Sequence, residues 1–92
     1  SLLRKQFQPV GWPSAGCVFK NPPGDYAAKI IDQMGFKGLR TGFAQISEKH
    51  SNFIINRGSA KARDVIVLID WIRQEVQRER NIFLENEIEV WQ

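Results

Sequence analysis

The sequence predicts an α+β domain: a small, mostly antiparallel sheet with two amphipathic helices packed on one face. Three observations carry that expectation. Two stretches repeat their apolar residues at helical spacing. Several short runs are rich in β-branched and aromatic residues. The end of the chain alternates between apolar or amide residues and glutamates, the period of a strand.

Taken in order, residues 1–16 are rich in Pro and Gly without a period, and an opening strand or extended arm followed by a loop is expected there. Cys17-Val18-Phe19 is a short β-prone step. Pro22-Pro23-Gly24-Asp25 is a turn that hands over to a helix, with Asp25 as its expected N-cap. Tyr26, Ile30, Ile31 and Met34 then recur at helical spacing, and Gly35 is a natural C-cap, so the first helix is expected over about 26–34. Gly38 to Gln45 reads as one extended segment. Phe53-Ile54-Ile55, closed by Asn56-Arg57-Gly58, reads as another strand. Val65, Leu68, Ile69, Ile72 and Val76 follow the i, i+3, i+4, i+7 rule, with charged and amide residues opposite, and place the second helix over about 61–79. Ser59 is its expected cap. Last, Leu84, Asn86, Ile88 and Val90 face one way and Glu85, Glu87 and Glu89 the other, as in a half-buried strand.

The chain of 92 residues is sized for one domain. It carries a formal charge of +3 and a pI near 9.4, so it is mildly basic. A solvated mixed surface accounts for that balance, and so does an anionic ligand such as a phosphate or diphosphate. No apolar run approaches the roughly 18 residues of a membrane span. The first residues show no signal-peptide pattern, and no secretory leader is expected. A single cysteine cannot form an internal disulfide. A cytoplasmic protein with no membrane partner is expected. The chain begins at Ser1 in mid-phrase, as a piece of a longer protein would, or as a chain that has lost its initiator Met would. The basic residues form no stripe with interleaved aromatics, so no nucleic-acid partner is expected. Neither a glycine-rich phosphate loop nor metal-ligand spacing occurs, and no metal site is expected.

One segment is dense in chemistry: Gln8-Pro9, then Pro13-Ser14-Ala15-Gly16-Cys17-Val18-Phe19-Lys20-Asn21-Pro22. Small residues let a backbone approach a ligand closely. The lone thiol stands at the end of that turn. Cys17 reads either as a small buried hydrophobe or as a proton donor, since a thiol is a far stronger acid than a hydroxyl. Lys20 and Asn21 read as ordinary surface or as a point charge and amide donors for a phosphate. Each of the three glutamates reads as solvated edge or as a group that orients an acid. His50 lies in a polar loop, at the surface or against a ligand.

Together these residues resemble a known family. The segment just quoted, Gly35-Phe36-Lys37-Gly38, the run Gln45-Ile46-Ser47-Glu48-Lys49-His50-Ser51-Asn52-Phe53-Ile54-Ile55-Asn56, and Leu84-Glu85-Asn86-Glu87-Ile88 occur in the order found in the C-terminal, substrate-binding domain of UDP-N-acetylenolpyruvoylglucosamine reductases (UDP-N-acetylmuramate dehydrogenases). The resemblance covers nearly the whole chain. It implies that residues 1–92 are the substrate domain of a larger FAD enzyme using NADPH, with the FAD domain outside this chain, and that the fragment alone binds substrate weakly and catalyses nothing. It implies a UDP-sugar substrate and the protein's own N-terminal FAD-binding domain as partners. By the resemblance Cys17 stands where the family usually has the proton-donating serine, and Glu87 where it has a glutamate that stabilises the enolic intermediate. Gln8, Lys20 and Asn21 fall where the family holds the diphosphate and neighbouring groups. The chain departs from the family pattern at Cys17, at Asn86 and Ile88, where Pro and Val are usual, and at Lys61, where Thr is common. The competing expectation is a non-enzymatic anion-binding or protein-interaction module.

Overall fold

The computed structural model describes residues 5–7 and 17–90, with side chains for 17–87. Gln8 and the rest of the turn before Cys17 lie outside the described residues. In chain order the elements are β1 Lys5–Phe7, α1 Ala27–Gln33, β2 Arg40–Thr41, β3 Ala44–Ile46, β4 Ile54–Asn56, α2 Ala62–Arg80 and β5 Ile88–Val90. Among the described residues no helix is long and apolar enough to cross a membrane.

Strands β2, β3 and β4 form an antiparallel sheet in that order. Ile46 lies opposite Ile54 and Ala44 opposite Asn56. Ala44, Ile46 and Ile54 are all buried, which puts the apolar side of the sheet under the helices. Helix α2 packs on β2 and β3, and α1 packs on α2. The helical spacing read from the sequence holds throughout α2: Val65, Leu68, Ile69, Ile72 and Val76 are its buried residues. They join Phe19, Ile30, Ile31 and Leu84 in one core. Each such large side chain contributes about 1.5–3 kcal/mol through burial.

The expected α+β architecture holds, with differences in its parts. The segment 38–45 is not one strand but a hairpin. Thr41 pairs with Ala44, leaving Gly42 and Phe43 as a two-residue turn. Gly42 has φ +59, and a glycine at the first central position is the signature of the type II′ turn that matches strand twist. Strand β4 ends at Asn56, whose side-chain oxygen accepts hydrogen bonds from the N–H groups of Gly58 (2.9 Å) and Ala60 (3.0 Å).

The caps also differ from expectation. Asp25 is not the N-cap of α1; that position is Tyr26. The Asp25 carboxylate instead accepts the Tyr26 N–H at 2.8 Å, and Asn21 Oδ1 accepts the Ala27 N–H at 2.9 Å, so two side chains upstream satisfy the helix start. Gly35, at φ +81, does end α1: its N–H bonds to Asp32 O and that of Phe36 to Ile31 O, the paired pattern of a Schellman motif. Ser59 does not cap α2. Lys61 is the N-cap residue, and the Asp64 carboxylate reaches back to its N–H at 3.1 Å, half of a capping box. Asn81, in the left-handed region at φ 55, closes the other end.

The terminal alternation is only partly a ladder. β5 pairs with β1 in parallel, Lys5 opposite Ile88, which adds a parallel pair to a mostly antiparallel fold. Upstream, Phe19 and Asn86 form an isolated antiparallel bridge. The N–H of Lys20 bonds to Glu85 O (2.8 Å) and that of Glu87 to Val18 O (2.7 Å). The short step 17–20 is therefore held alongside the acidic segment.

Candidate active site

The chain positions Cys17 by burying its two C-terminal neighbours. Val18 and Phe19 are each 1% exposed, while Cys17 is exposed. Two core anchors thus hold the residue next to a thiol that faces solvent. The alternative reading of Cys17 as a buried hydrophobe is not met.

Cys17 opens into a cleft of about 480 Å³. One wall comes from the Asn21 turn and α1, including Lys29 and Asp32; Lys37 follows α1; the other wall is the loop Lys49 to Phe53. Lysines outnumber the one aspartate lining it. Asp32 pairs with Lys37 at 3.6 Å, and Asp25, at the start of α1, pairs with Lys29 at 3.3 Å. The hydrogen bond from the Tyr26 N–H holds the Asp25 carboxyl below the usual aspartate range, against an opposing desolvation and with help from Lys29. His50 is exposed, with its ring 5.3 Å from that of Phe53. Such a wall suits an anion-bearing ligand, which would exchange weak, solvent-screened pairs for its own charges.

The loop forming that wall is tied down on three sides. Ser47 Oγ accepts the N–H groups of Lys49 and His50, each at 3.1 Å. Ser51 Oγ donates to Ala28 O at 2.6 Å and holds the loop to α1. Asn52 is 4% exposed and grips the Cys17 step. Its Oδ1 accepts the Phe19 N–H at 3.0 Å, its Nδ2 donates to Phe19 O at 2.9 Å, and its own carbonyl accepts the Val18 N–H at 2.7 Å.

The residues singled out in the sequence are not all brought to one place. Cys17 and Asn21 share the cleft. The Asn21 carboxamide oxygen is committed to the start of α1, so its NH₂ is the part that can donate to a ligand. Lys20 lies on a neighbouring face, paired with Glu85 at 3.6 Å, where the two border a smaller pocket of about 160 Å³ with Phe83. Glu87 is half-buried and is joined to the Cys17 step through the backbone bond to Val18. The side chain of Glu89 is outside the described ones, as is Gln8. Sequence reasoning did not select Lys29, Lys37, Lys49 or Asn52. Lys37, Lys49 and Asn52 stand in the stretches that carry the family resemblance, yet nothing local marks them, because only tertiary packing joins those stretches to Cys17.

A hairpin sheet under two helices, with the thiol-bearing segment held against a basic loop, defines an α+β domain with an open, lysine-lined cleft. The profile of the family described as "UDP-N-acetylenolpyruvoylglucosamine reductase, C-terminal domain" matches residues 8–91, and the chain belongs to that family. It is 58% identical over 88 residues to the UDP-N-acetylenolpyruvoylglucosamine reductase of Moorella thermoacetica, and 54% identical over 88 residues to UDP-N-acetylenolpyruvoylglucosamine reductase 2 of Symbiobacterium thermophilum. Both alignments cover 96% of this chain and 29% of the relative. The crystal structure of the corresponding reductase from Thermus caldophilus superposes with a TM-score of 0.65 at 52% identity, over 82% of this chain and 27% of that one. The chain thus spans under a third of the length of the curated relatives it matches.

Proposed function

We propose that this chain is the substrate-binding and proton-donating domain of an NADPH- and FAD-dependent cytoplasmic reductase that converts UDP-N-acetylglucosamine enolpyruvate to UDP-N-acetylmuramate in peptidoglycan synthesis. The observation that carries the reading is the exposed thiol of Cys17 at the mouth of a cleft walled by Lys29, Lys37, Lys49 and His50. Family membership supports it, as do the relatives' names.

The cleft is lined by the ammonium groups of Lys29, Lys37 and Lys49 and the imidazole of His50 together with the rings of Tyr26 and Phe53, a mixture that suits the diphosphate and the ring parts of a UDP-sugar. FAD and NADPH are assigned to the remainder of the protein, where they would supply the hydride. The lysines bind and orient the diphosphate. The thiol of Cys17 gives its proton to the substrate carbon next to the carboxylate, and the resulting thiolate is reprotonated from water through the open cleft. Glu87 stabilises the enolic form of that carboxylate. Lys20, Asn21 and Gln8 are assigned to the diphosphate and its neighbouring groups; Asn21 lines the cleft.

Replacing Cys17 in the intact enzyme tests the assignment. Cys17→Ala is expected to slow the reoxidation of reduced flavin by substrate about 10²–10⁴-fold, the usual worth of a positioned acid, and Cys17→Ser to retain most of the rate. Stopped-flow absorbance of the flavin reads both. A wild-type rate from the alanine variant would refute the proton-donor role.

A further inference from the structure

Phe19 is 1% exposed, so its N–H and C=O need partners inside the protein. The bonds between this step and the acidic segment run from Lys20 to Glu85 and from Glu87 to Val18; those of Phe19 itself point the other way. A third strand would ordinarily receive them. Here one side chain does. The carboxamide of Asn52, from a loop 33 residues away, both accepts from Phe19 N–H and donates to Phe19 O, and the Asn52 backbone takes Val18 N–H as well. Asparagine supplies an acceptor and a donor side by side, as a peptide group does. An ionised aspartate, a leucine or a serine cannot supply both in that arrangement. The same loop carries Lys49 and His50 on the cleft wall, and Ser51 fastens it to α1. The clamp therefore fixes the distance between the thiol and the basic wall.

We propose that Asn52 is a positioning residue for proton transfer, setting where the Cys17 thiol sits against the bound anion through its two hydrogen bonds to Phe19. The proposal rests on the proton-donor reading of Cys17. Asn52 does not touch substrate in this role; it acts through the segment that carries the thiol.

The test uses the intact enzyme with Asn52→Asp, alone and combined with Cys17→Ala. Aspartate keeps the shape and the acceptor but, when ionised, turns the donor to Phe19 O into a second acceptor. Reoxidation of reduced flavin by substrate is expected to slow by about 10-fold or more near pH 8, while reduction by NADPH stays within about twofold. A buried carboxyl holds its proton more tightly than an exposed one, and the protonated acid can again donate to Phe19 O. For Asn52→Asp the deficit relative to wild type is therefore expected to shrink severalfold by about pH 6. In the Cys17→Ala background the same substitution is expected to change the rate by less than about twofold, since residues acting as a unit are not additive. Asn52→Leu, which cannot regain the donor, is expected to show no acid rescue and serves as the second variant, with Asn52→Ser in its place if it fails to fold. Equal losses with and without Cys17, a deficit that persists at low pH, or an unchanged rate would each overturn the proposal. A wild-type rate from Cys17→Ala alone overturns the proton-donor reading as well, so the two failures are distinguishable.

Discussion

The exposed thiol and its two buried neighbours divide the work of one short segment. Cys17 meets solvent, and Val18 and Phe19 anchor it in the core. That placement was legible in part, because small residues before a lone thiol and a β-prone step after it mark a presented group. Asn21 was legible as a cleft residue but not as the partner of Ala27 N–H. Asn52 was not legible at all, since an asparagine in a polar loop carries no sign of the strand it will grip. Glu87 sits between these cases: alternation placed it among the glutamates, and its partial burial sets it apart from exposed Glu85. Glu87→Gln in the intact enzyme is expected to lower kcat about 10²-fold and leave KM within a few-fold, because in the proposed role the carboxylate acts on an intermediate rather than on bound substrate. Steady-state kinetics checks this. A change confined to KM would make Glu87 a recognition residue.

Helix α2 was legible nearly to its ends, because apolar spacing alone dictates which face is buried. The hairpin of β2 and β3 was not, because a two-residue turn adds no polar run to interrupt an extended pattern. Gly42 was the available signal. Its φ of +59 disfavours any side chain, and an added Cβ would lie 2.6 Å from the Asp64 carboxyl carbon. The turn and the cap of α2 therefore occupy one space. Gly42→Ala is expected to destabilise the protein by about 1–3 kcal/mol, read by urea denaturation. Asp64→Ala alone is expected to cost about 1 kcal/mol through the lost cap. The double variant should lose less than the two together, because truncating Asp64 removes the clash; strictly additive losses would show that the contact does not govern the turn.

At the scale of the molecule, packing gathers charges that the sequence scatters. Lys29, Lys37 and Lys49 come from a helix, the segment after it and a loop, and they meet only in the folded domain. A net charge of +3 gave no hint of where the excess would lie. Lys49→Glu is expected to raise KM for the proposed UDP-sugar substrate about 10-fold with kcat within a few-fold, and wild-type KM is expected to rise with ionic strength as salt screens the exposed lysines. A KM indifferent to both would place the diphosphate elsewhere.

The parallel pairing of β1 with β5 has a consequence for biosynthesis. The partner of Lys5–Phe7 is Ile88–Val90, at the far end of the same domain. On the ribosome, the earlier strand has to wait with its edge unsatisfied until nearly all of the domain has emerged. Closure of that pair is then a late event in folding, and the nascent chain is most open to wrong strand partners just before it happens.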